Sequence, residues 1–161
     1  MNQSIRVIIG VAVISSLVFG FVQLKESQKE ETKSSADLIA SALSKKGIFV
    51  EEILITTGSE ASKAFDAEIL GSKIALVMFR ISGGSAEEKL KEYVTAVYTT
   101  FDADPTLEGV MAFDVNFAEA SGTALIIYAN RTSAERVRNS NLAPEEILNE
   151  WRLIEYTRLQ K

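Results

Sequence analysis

The chain opens with an uninterrupted apolar run. Val7 to Leu24 contains no charged side chain. As a helix the run would be roughly 27 Å long, close to the bilayer hydrocarbon thickness of about 30 Å. The pattern predicts a membrane anchor over residues 1–24, held in the lipid bilayer through residues 7–24. A cleaved signal peptide is the alternative, with a cut before Phe21.

A polar segment separates this run from the rest of the chain. Residues 25–35 carry no apolar side chain, which predicts a solvated stalk or a polar extension of a helix. Residues 36–161 are expected to form one soluble domain, because a chain of this length has room for one. The domain begins with an amphipathic helix, in which Leu38, Ile39, Ala42 and Leu43 lie at helical spacing and Gly47 suits the end.

Period-two and β-branched patterns predict five strands in the domain. Ile48–Thr56 is the first, followed by a polar loop over Thr57–Lys63. Gly71-Ser72 suits a type II′ turn and predicts a hairpin between Ala64–Leu70 and Lys73–Ile81. Two more strands are predicted at Val110–Phe117 and Thr123–Ala129.

Three further helices are predicted by capping signals and apolar stripes. Ser85 and Glu88 form a capping box before a stripe that includes Leu90, Val94, Val97 and Phe101. Thr132 and Glu135 form a second capping box. Pro144 suits the first turn of the last helix, which is expected to bury Ile147, Leu148, Trp151 and Ile154 or Leu153.

This order of elements predicts an α+β fold. We expect an N-terminal transmembrane helix followed by a two-layer domain, with an antiparallel or mixed sheet of about five strands covered by helices on one face.

Composition removes several classes of chemistry. The chain has a net charge of −5 and no histidine or cysteine. An acidic domain without a basic stripe is a poor nucleic-acid binder. Catalysis by a thiolate or an imidazole is therefore excluded, and zinc and haem lack their usual protein ligands. No cofactor is expected, and a metal ion would have to be a hard, oxygen-bound cation.

The strand-to-helix junction Ser82, Gly83, Gly84 and Ser85 is the first candidate site. Backbone N–H groups and the positive end of a helix dipole converge at such a junction, which favours a small ligand or an anion. The P-loop and dinucleotide motifs are absent. The alternative is a tight turn followed by a helix cap. Asp114 and Asn116 are expected on the less apolar face of the neighbouring strand.

Asp102, Asp104 and Glu108 form the second candidate site. Their carboxylates suit Ca²⁺ or Mg²⁺, but the spacing does not match an EF-hand loop. The alternative is a solvated connection between a helix and a strand.

Asn130 begins the sequon Asn130-Arg131-Thr132, which is usable for glycosylation if the domain is exported. A signal-anchor commonly sends a following domain outward, which favours a single-pass protein with an extracytoplasmic domain. Lys25, Lys29 and Lys33 favour the opposite orientation by the positive-inside rule. The cluster Arg131, Arg136 and Arg138 suits lipid headgroups or an acidic partner.

Two functions follow from these patterns. The first is a membrane-anchored, non-enzymatic interaction or sensory domain, an accessory subunit that binds a membrane or envelope protein. The alternative is a small-ligand or anion-binding module, or a carboxylate-dependent hydrolase, that uses the Ser82–Ser85 junction.

Overall fold

A computed structural model describes residues 30–81 and 84–157 of the chain. The described elements follow the order α1, β1, α2, β2, α3, β3, α4, β4, α5, α6 and β5. The helices are α1 (Glu30–Lys45), α2 (Gly58–Phe65), α3 (Ala86–Ala103), α4 (Val115–Ser121), α5 (Arg131–Arg138) and α6 (Pro144–Glu150). The strands are β1 (Phe49–Thr56), β2 (Ile74–Arg80), β3 (Gly109–Asp114), β4 (Ala124–Asn130) and β5 (Arg152–Tyr156).

The five strands form one mixed sheet in the order β1-β2-β3-β4-β5. Strands β2 and β3 are parallel, and the other neighbouring pairs are antiparallel. Parallel neighbours require a crossover connection, which α3 supplies. The predicted α+β fold with a mixed sheet of five strands and helices is therefore confirmed.

Helices cover both faces of this sheet. Along each strand, successive side chains point to opposite faces, so the strands contribute to two separate apolar clusters. The first cluster joins the sheet to α1, α3, α5 and α6, and includes Ile39, Val77, Phe79, Ala112, Phe101 and Ile127. The second joins the sheet to α2 and α4, and includes Leu54, Phe65, Leu76, Met111, Phe113 and Ile126. The expectation of one open sheet face is wrong, because α2 and α4 form where a loop and a strand are predicted.

The predicted hairpin around Gly71-Ser72 is not formed. Thr57 and Glu60 make a capping box that starts α2, so the chain is helical through Phe65 and then follows a loop to Lys73. The capping box pairs the free backbone donors of the first turn, and the buried Phe65 packs against the sheet. Strand β2 instead pairs with β1 and β3.

Two other predicted boundaries also differ from the structure. Strand β3 ends at Asp114, which caps α4. The last helix begins at Pro144 as predicted but ends at Glu150, and β5 pairs with β4 from Arg152 onward. Helix α5 begins at Arg131, one residue before the predicted capping box, with Asn130 as its cap.

The predicted anchor over residues 1–24 lies outside the described residues. Across residues 30–81 and 84–157, no helix combines the length and the apolar character needed to cross a bilayer. Helix α1 is already formed at Glu30, within the predicted stalk.

Candidate functional site

Strands β2 and β3 end side by side, near Arg80, Ile81 and Asp114. We call this end of the sheet the distal end. Open sheets with parallel strands bind ligands beyond such carboxyl ends. Strand β2 ends at Arg80, Ile81 follows it, and α3 begins at Ala86. Ile81, the described residue that precedes the predicted junction, therefore lies at this end of the sheet.

Side chains from the neighbouring segment hold the backbone of Ile81. Its N–H donates to Asp114 Oδ1 at 3.1 Å, and its carbonyl oxygen accepts from Asn116 Nδ2 at 2.7 Å. Asp114 is buried and also accepts from the backbone N–H groups of Asn116 at 3.0 Å and Phe117 at 3.2 Å. Asp114 and Asn116 therefore fix the end of β2 and the start of α4, and the predicted polar strand face does not form around them.

Gly84 and Ser85 form the second half of the junction, and Ser85 caps α3. Gly84 has a φ of +100°, a conformation that favours glycine. The Ser85 N–H donates to Glu88 Oε2 at 2.6 Å, and the Glu88 N–H donates to Ser85 Oγ at 3.2 Å. These bonds confirm the predicted capping box and lower the pKa of Glu88. Ser82 and Gly83 lie outside the described residues.

Arg80 is the cation nearest to the junction along β2, and its guanidinium is surrounded by acceptors. Nη1 and Nη2 donate to Glu119 at 3.0 and 3.1 Å, and Nη1 donates to Asn116 Oδ1 at 2.8 Å. Nε donates to Glu51. The Glu119 and Glu51 carboxylates raise the pKa of Arg80 further above its ordinary value. The arginine is thus paired within the protein.

Two side chains of α3 have raised pKa values at this end. Burial raises the pKa of Glu92, and the negative charges of Asp114 and Glu88 raise it further. Burial also raises the pKa of Tyr93, whose hydroxyl oxygen accepts from the Asp114 N–H at 2.9 Å. Burial and the two nearby carboxylates therefore favour the protonated form of Glu92.

An apolar groove of about 390 Å³ lies between α3 and α6, above β4 and β5. Its walls and floor are apolar side chains: Leu90, Tyr93, Leu125, Ile127, Leu148 and Leu153. The charged side chains Glu87, Lys89 and Glu145 line its rim. Leu153 on β5 remains 47% exposed. The groove thus presents a nearly continuous apolar surface with a charged border.

The three predicted metal ligands each have a different partner. Asp102 binds the Arg138 guanidinium at 2.8 and 3.1 Å, and Glu108 accepts from the Ser72 N–H at 2.7 Å. Asp104 is buried and binds Lys73 Nζ at 2.8 Å. In the part of the chain that the structure describes, no cluster of three acidic side chains is arranged to hold a metal ion.

Hydrogen bonds to Asp104 fix the start of α1. Its carboxylate accepts from the hydroxyls of Ser35 and Thr106 and from the Thr106 N–H. Burial alone would raise the pKa of Asp104, but Lys73, Ser35 and Thr106 outweigh it and lower that pKa well below its ordinary value. Asp104 is therefore a charged structural link between α1, α3 and the start of β2.

Asn130 and the arginines that follow it have structural partners as well. Asn130 is exposed, and its Oδ1 accepts from the Ser133 N–H at 2.8 Å. Arg131 donates to the carbonyl oxygens of Leu107 at 2.7 Å and Asp104 at 3.2 Å. The predicted glycosylation at Asn130 remains a prediction, on a side chain that also caps α5.

Sequence reasoning missed the apolar groove. Leu148 and Leu153 are both expected inside a single helix, so neither indicates an exposed surface. The segment Arg152-Leu153-Ile154-Glu155 has two apolar residues side by side, so it carries no period-two signal for the edge strand that bears Leu153.

The chain matches no protein-family model, and no curated protein or solved structure is detectably similar to it.

Proposed function

We propose that the chain is a membrane-anchored, non-enzymatic interaction domain, an accessory subunit that binds another protein of a membrane complex. The single observation that carries this proposal is the apolar groove between α3 and α6. The anchoring itself is inferred from the uncharged run at residues 7–24.

The walls of the groove indicate what it accommodates. Helices α3 and α6 flank it, and the strands β4 and β5 form its floor, so its surroundings resemble those of a helix packed on a sheet. Exposed apolar patches of this kind mark interaction sites. An amphipathic helix laid in a groove buries side chains spaced three and four residues apart. We infer that the partner supplies such a helix.

The charged residues around the groove indicate which charges the partner should carry. Glu87 is paired with Lys91 at 2.7 Å, which leaves Lys89 on the α3 side. Glu145 lies on the α6 side, and Glu155 is the register partner of Leu125 in the floor. One carboxylate, that of Glu145, thus lines the α6 side of the groove, and Glu155 lies next to the groove floor on β5. We therefore expect the partner helix to carry basic residues along the flank that faces α6 and β5.

The polar groups at the junction support a binding role over a catalytic one. Ser85 and Glu88 cap α3, Asp114 caps α4, and Arg80 is paired with Glu119. These groups bind each other, and each would have to leave its partner before acting on a substrate. Catalysis by histidine or cysteine is excluded by composition.

Photo-crosslinking in the native host tests the proposal. The full chain, carrying a photoreactive residue at Leu153, is expected to form one discrete product with another protein. Mass spectrometry should place the crosslink in an apolar segment with basic flanking residues. The second substitution Leu148→Glu, on the opposite wall of the groove, should reduce the yield at least tenfold.

Phe117 supplies the matched control, because it is 41% exposed and lies on α4 at the other face of the sheet. A photoreactive residue there should give no such product. Equal products at both positions, or no product at Leu153, would contradict the proposal. A product of twice the mass of the chain would identify a second copy as the occupant and reject the basic partner helix.

A further inference from the structure

The chain enters the domain at the end of the sheet opposite the junction. Ser35, in the second turn of α1, donates to the Asp104 carboxylate just before the start of β3. The starts of β2 and β3 and the end of β4 meet at this same edge, where Ile74, Gly109 and Asn130 are in register. We call this edge the entry end. Residues 25–29, between the predicted anchor and α1, span at most about 17 Å.

A braced loop projects from the entry end. The loop over residues 66–73 follows α2, and both its backbone and its side chains are held by the domain. The bonds are Tyr128 hydroxyl to Leu70 carbonyl at 2.9 Å, Gly58 N–H to Gly71 carbonyl at 2.8 Å, Ile69 N–H to Ser62 hydroxyl at 2.8 Å, and Ser72 hydroxyl to Glu108 at 2.8 Å. The loop is therefore ordered before it meets any partner.

Leu70 is the apolar side chain that this loop presents. It is 68% exposed, the highest value among the large apolar side chains at residues 30–81 and 84–157. A side chain held by a rigid loop loses little conformational entropy when it enters an apolar environment. Leu70 is thus positioned to insert into such an environment.

Amphipathic and charged side chains of both signs lie near Leu70. A concavity of about 590 Å³ is lined by Leu70 together with Tyr128, Arg131 and Arg136, and also by Glu108 and Glu135. Glu108 accepts hydrogen bonds from Ser72, and Glu135 lies 3.9 Å from the Arg131 guanidinium. Arg136 is exposed, and its guanidinium pairs with Glu150 at the surface. At the boundary of a bilayer, an apolar side chain enters the acyl layer while arginine and tyrosine remain at the level of the headgroups.

We propose that Leu70 inserts into the bilayer surface, so that the entry end of the domain rests on phospholipid headgroups. This inference depends on the proposed membrane anchor, because a tether of five residues keeps the entry end close to the membrane. The domain then has a fixed orientation, with Arg136 at the depth of the lipid phosphates and the apolar groove in the distal half of the domain.

Site-specific fluorescence of the full chain in lipid vesicles tests this inference. The chain contains no cysteine, so a single introduced cysteine can carry a polarity-sensitive label. The vesicles contain phosphatidylcholine and phosphatidylglycerol, with and without lipids that carry a quencher. The labelled variants are Leu70→Cys, Phe49→Cys at the distal end, and Val13→Cys within the predicted anchor. Phe49 is 65% exposed and therefore matches Leu70 in accessibility.

Labels at positions 70 and 13 are expected to be quenched several-fold more strongly by the quencher lipids than the label at position 49. Quenching at position 13 with none at position 70 would overturn the insertion of Leu70 while leaving the anchor in place. No quenching at position 13 would reject the anchor itself. Equal quenching at positions 70 and 49 would show unspecific adsorption and would also reject the inference.

Discussion

The two ends of the sheet differ in how their surfaces are stabilised. At the entry end, the buried carboxylate of Asp104 ties α1 to Lys73, and hydrogen bonds brace the loop over residues 66–73. At the distal end, the polar groups cap helices, and an apolar groove remains open beside Leu153. One end is thus rigidly braced, whereas the other leaves an apolar surface open, and the two proposals above assign the membrane to the first and the partner to the second.

Because the two ends differ in this way, we expect substitutions at one end to affect stability and substitutions at the other to affect binding. Removal of a buried polar link at the entry end leaves a charge or a donor without its partner, which costs free energy in the isolated domain. Substitution of an exposed apolar side chain in the groove changes few contacts within the domain. Variants at the entry end should therefore lower stability, and variants in the groove should mainly affect association.

The largest effect is expected for Asp104→Asn. The substitution removes the charge that pairs with Lys73, and breaking a buried pair costs roughly 3 kcal/mol of unfolding free energy. Chemical denaturation of the full chain in detergent micelles measures this loss. The control is Asp102→Asn on the same helix, whose exposed pair with Arg138 should contribute less than about 1 kcal/mol. Similar losses in the two variants would contradict the special role of Asp104.

The same variant has a defined pH dependence. The pKa of Asp104 is lowered from 3.8 in the folded protein, so its stabilising contribution is complete above that value and is lost as the pH falls below it. The difference in stability between the wild type and Asp104→Asn should therefore be constant near neutral pH and shrink below about pH 4. A difference that stays constant down to pH 2 would contradict this account.

A smaller effect is expected for Gly58→Ala, which tests the bracing of the loop. An added Cβ would lie 2.6 Å from the Ile69 carbonyl oxygen and 2.8 Å from the Leu70 carbonyl carbon. Because both are backbone atoms, the loop must shift, at a cost of about 2 kcal/mol. Hydrogen exchange should also accelerate at Ile69. The exposed neighbour Ser59 is the control, and Ser59→Ala should change stability by less than about 0.5 kcal/mol.

The smallest effect, and a gain, is expected for Glu92→Gln at the distal end. The folded protein raises the pKa of Glu92, so the contribution of this group is most favourable below about pH 4.5 and is lost as the pH rises through the raised pKa. At pH 7 the substitution should raise the stability of the domain, by less than the loss expected for Gly58→Ala, with little change at pH 4. Urea denaturation at both pH values measures the difference.

Glu87→Gln on the same helix is the matched control with the opposite sign. Glu87 is exposed and pairs with Lys91 four residues later, so its removal should cost a few tenths of a kcal/mol at pH 7. A gain for both variants would indicate a general effect of net charge rather than the burial of Glu92.

Local signals in the sequence predict the elements whose boundaries are set by residues close to each other in the chain. The capping box at Ser85 and the apolar stripe after it predict α3, and the β-branched run at Ile48–Thr56 predicts β1. The Thr57 and Glu60 capping box is also a local signal, but the polar composition of Thr57–Lys63 predicts a loop there. The prediction fails at α2 because polarity alone does not distinguish a loop from a short capped helix.

Other features depend on contacts between distant residues. Leu148, Trp151 and Ile154 fit helical spacing, yet β5 forms because Arg152–Tyr156 pair with β4. Asp114 continues an alternating pattern, but its carboxylate caps α4. The groove is formed by α3, α6, β4 and β5, which lie in different parts of the chain. The hydrogen bond from Ser35 to Asp104 joins residues 69 positions apart. These sites follow from the tertiary fold, which single-sequence patterns do not specify.

The consecutive order of the strands has a consequence for biosynthesis. Every strand pairs with the strand that precedes it in the chain, so the sheet can grow outward as the ribosome releases each element. Strand β5 follows the other described strands in the chain, and Leu153 completes the floor of the groove only when β5 pairs with β4. A chain that has not yet formed β5 therefore lacks the finished groove, so the proposed binding of a partner would have to follow the pairing of β5 with β4.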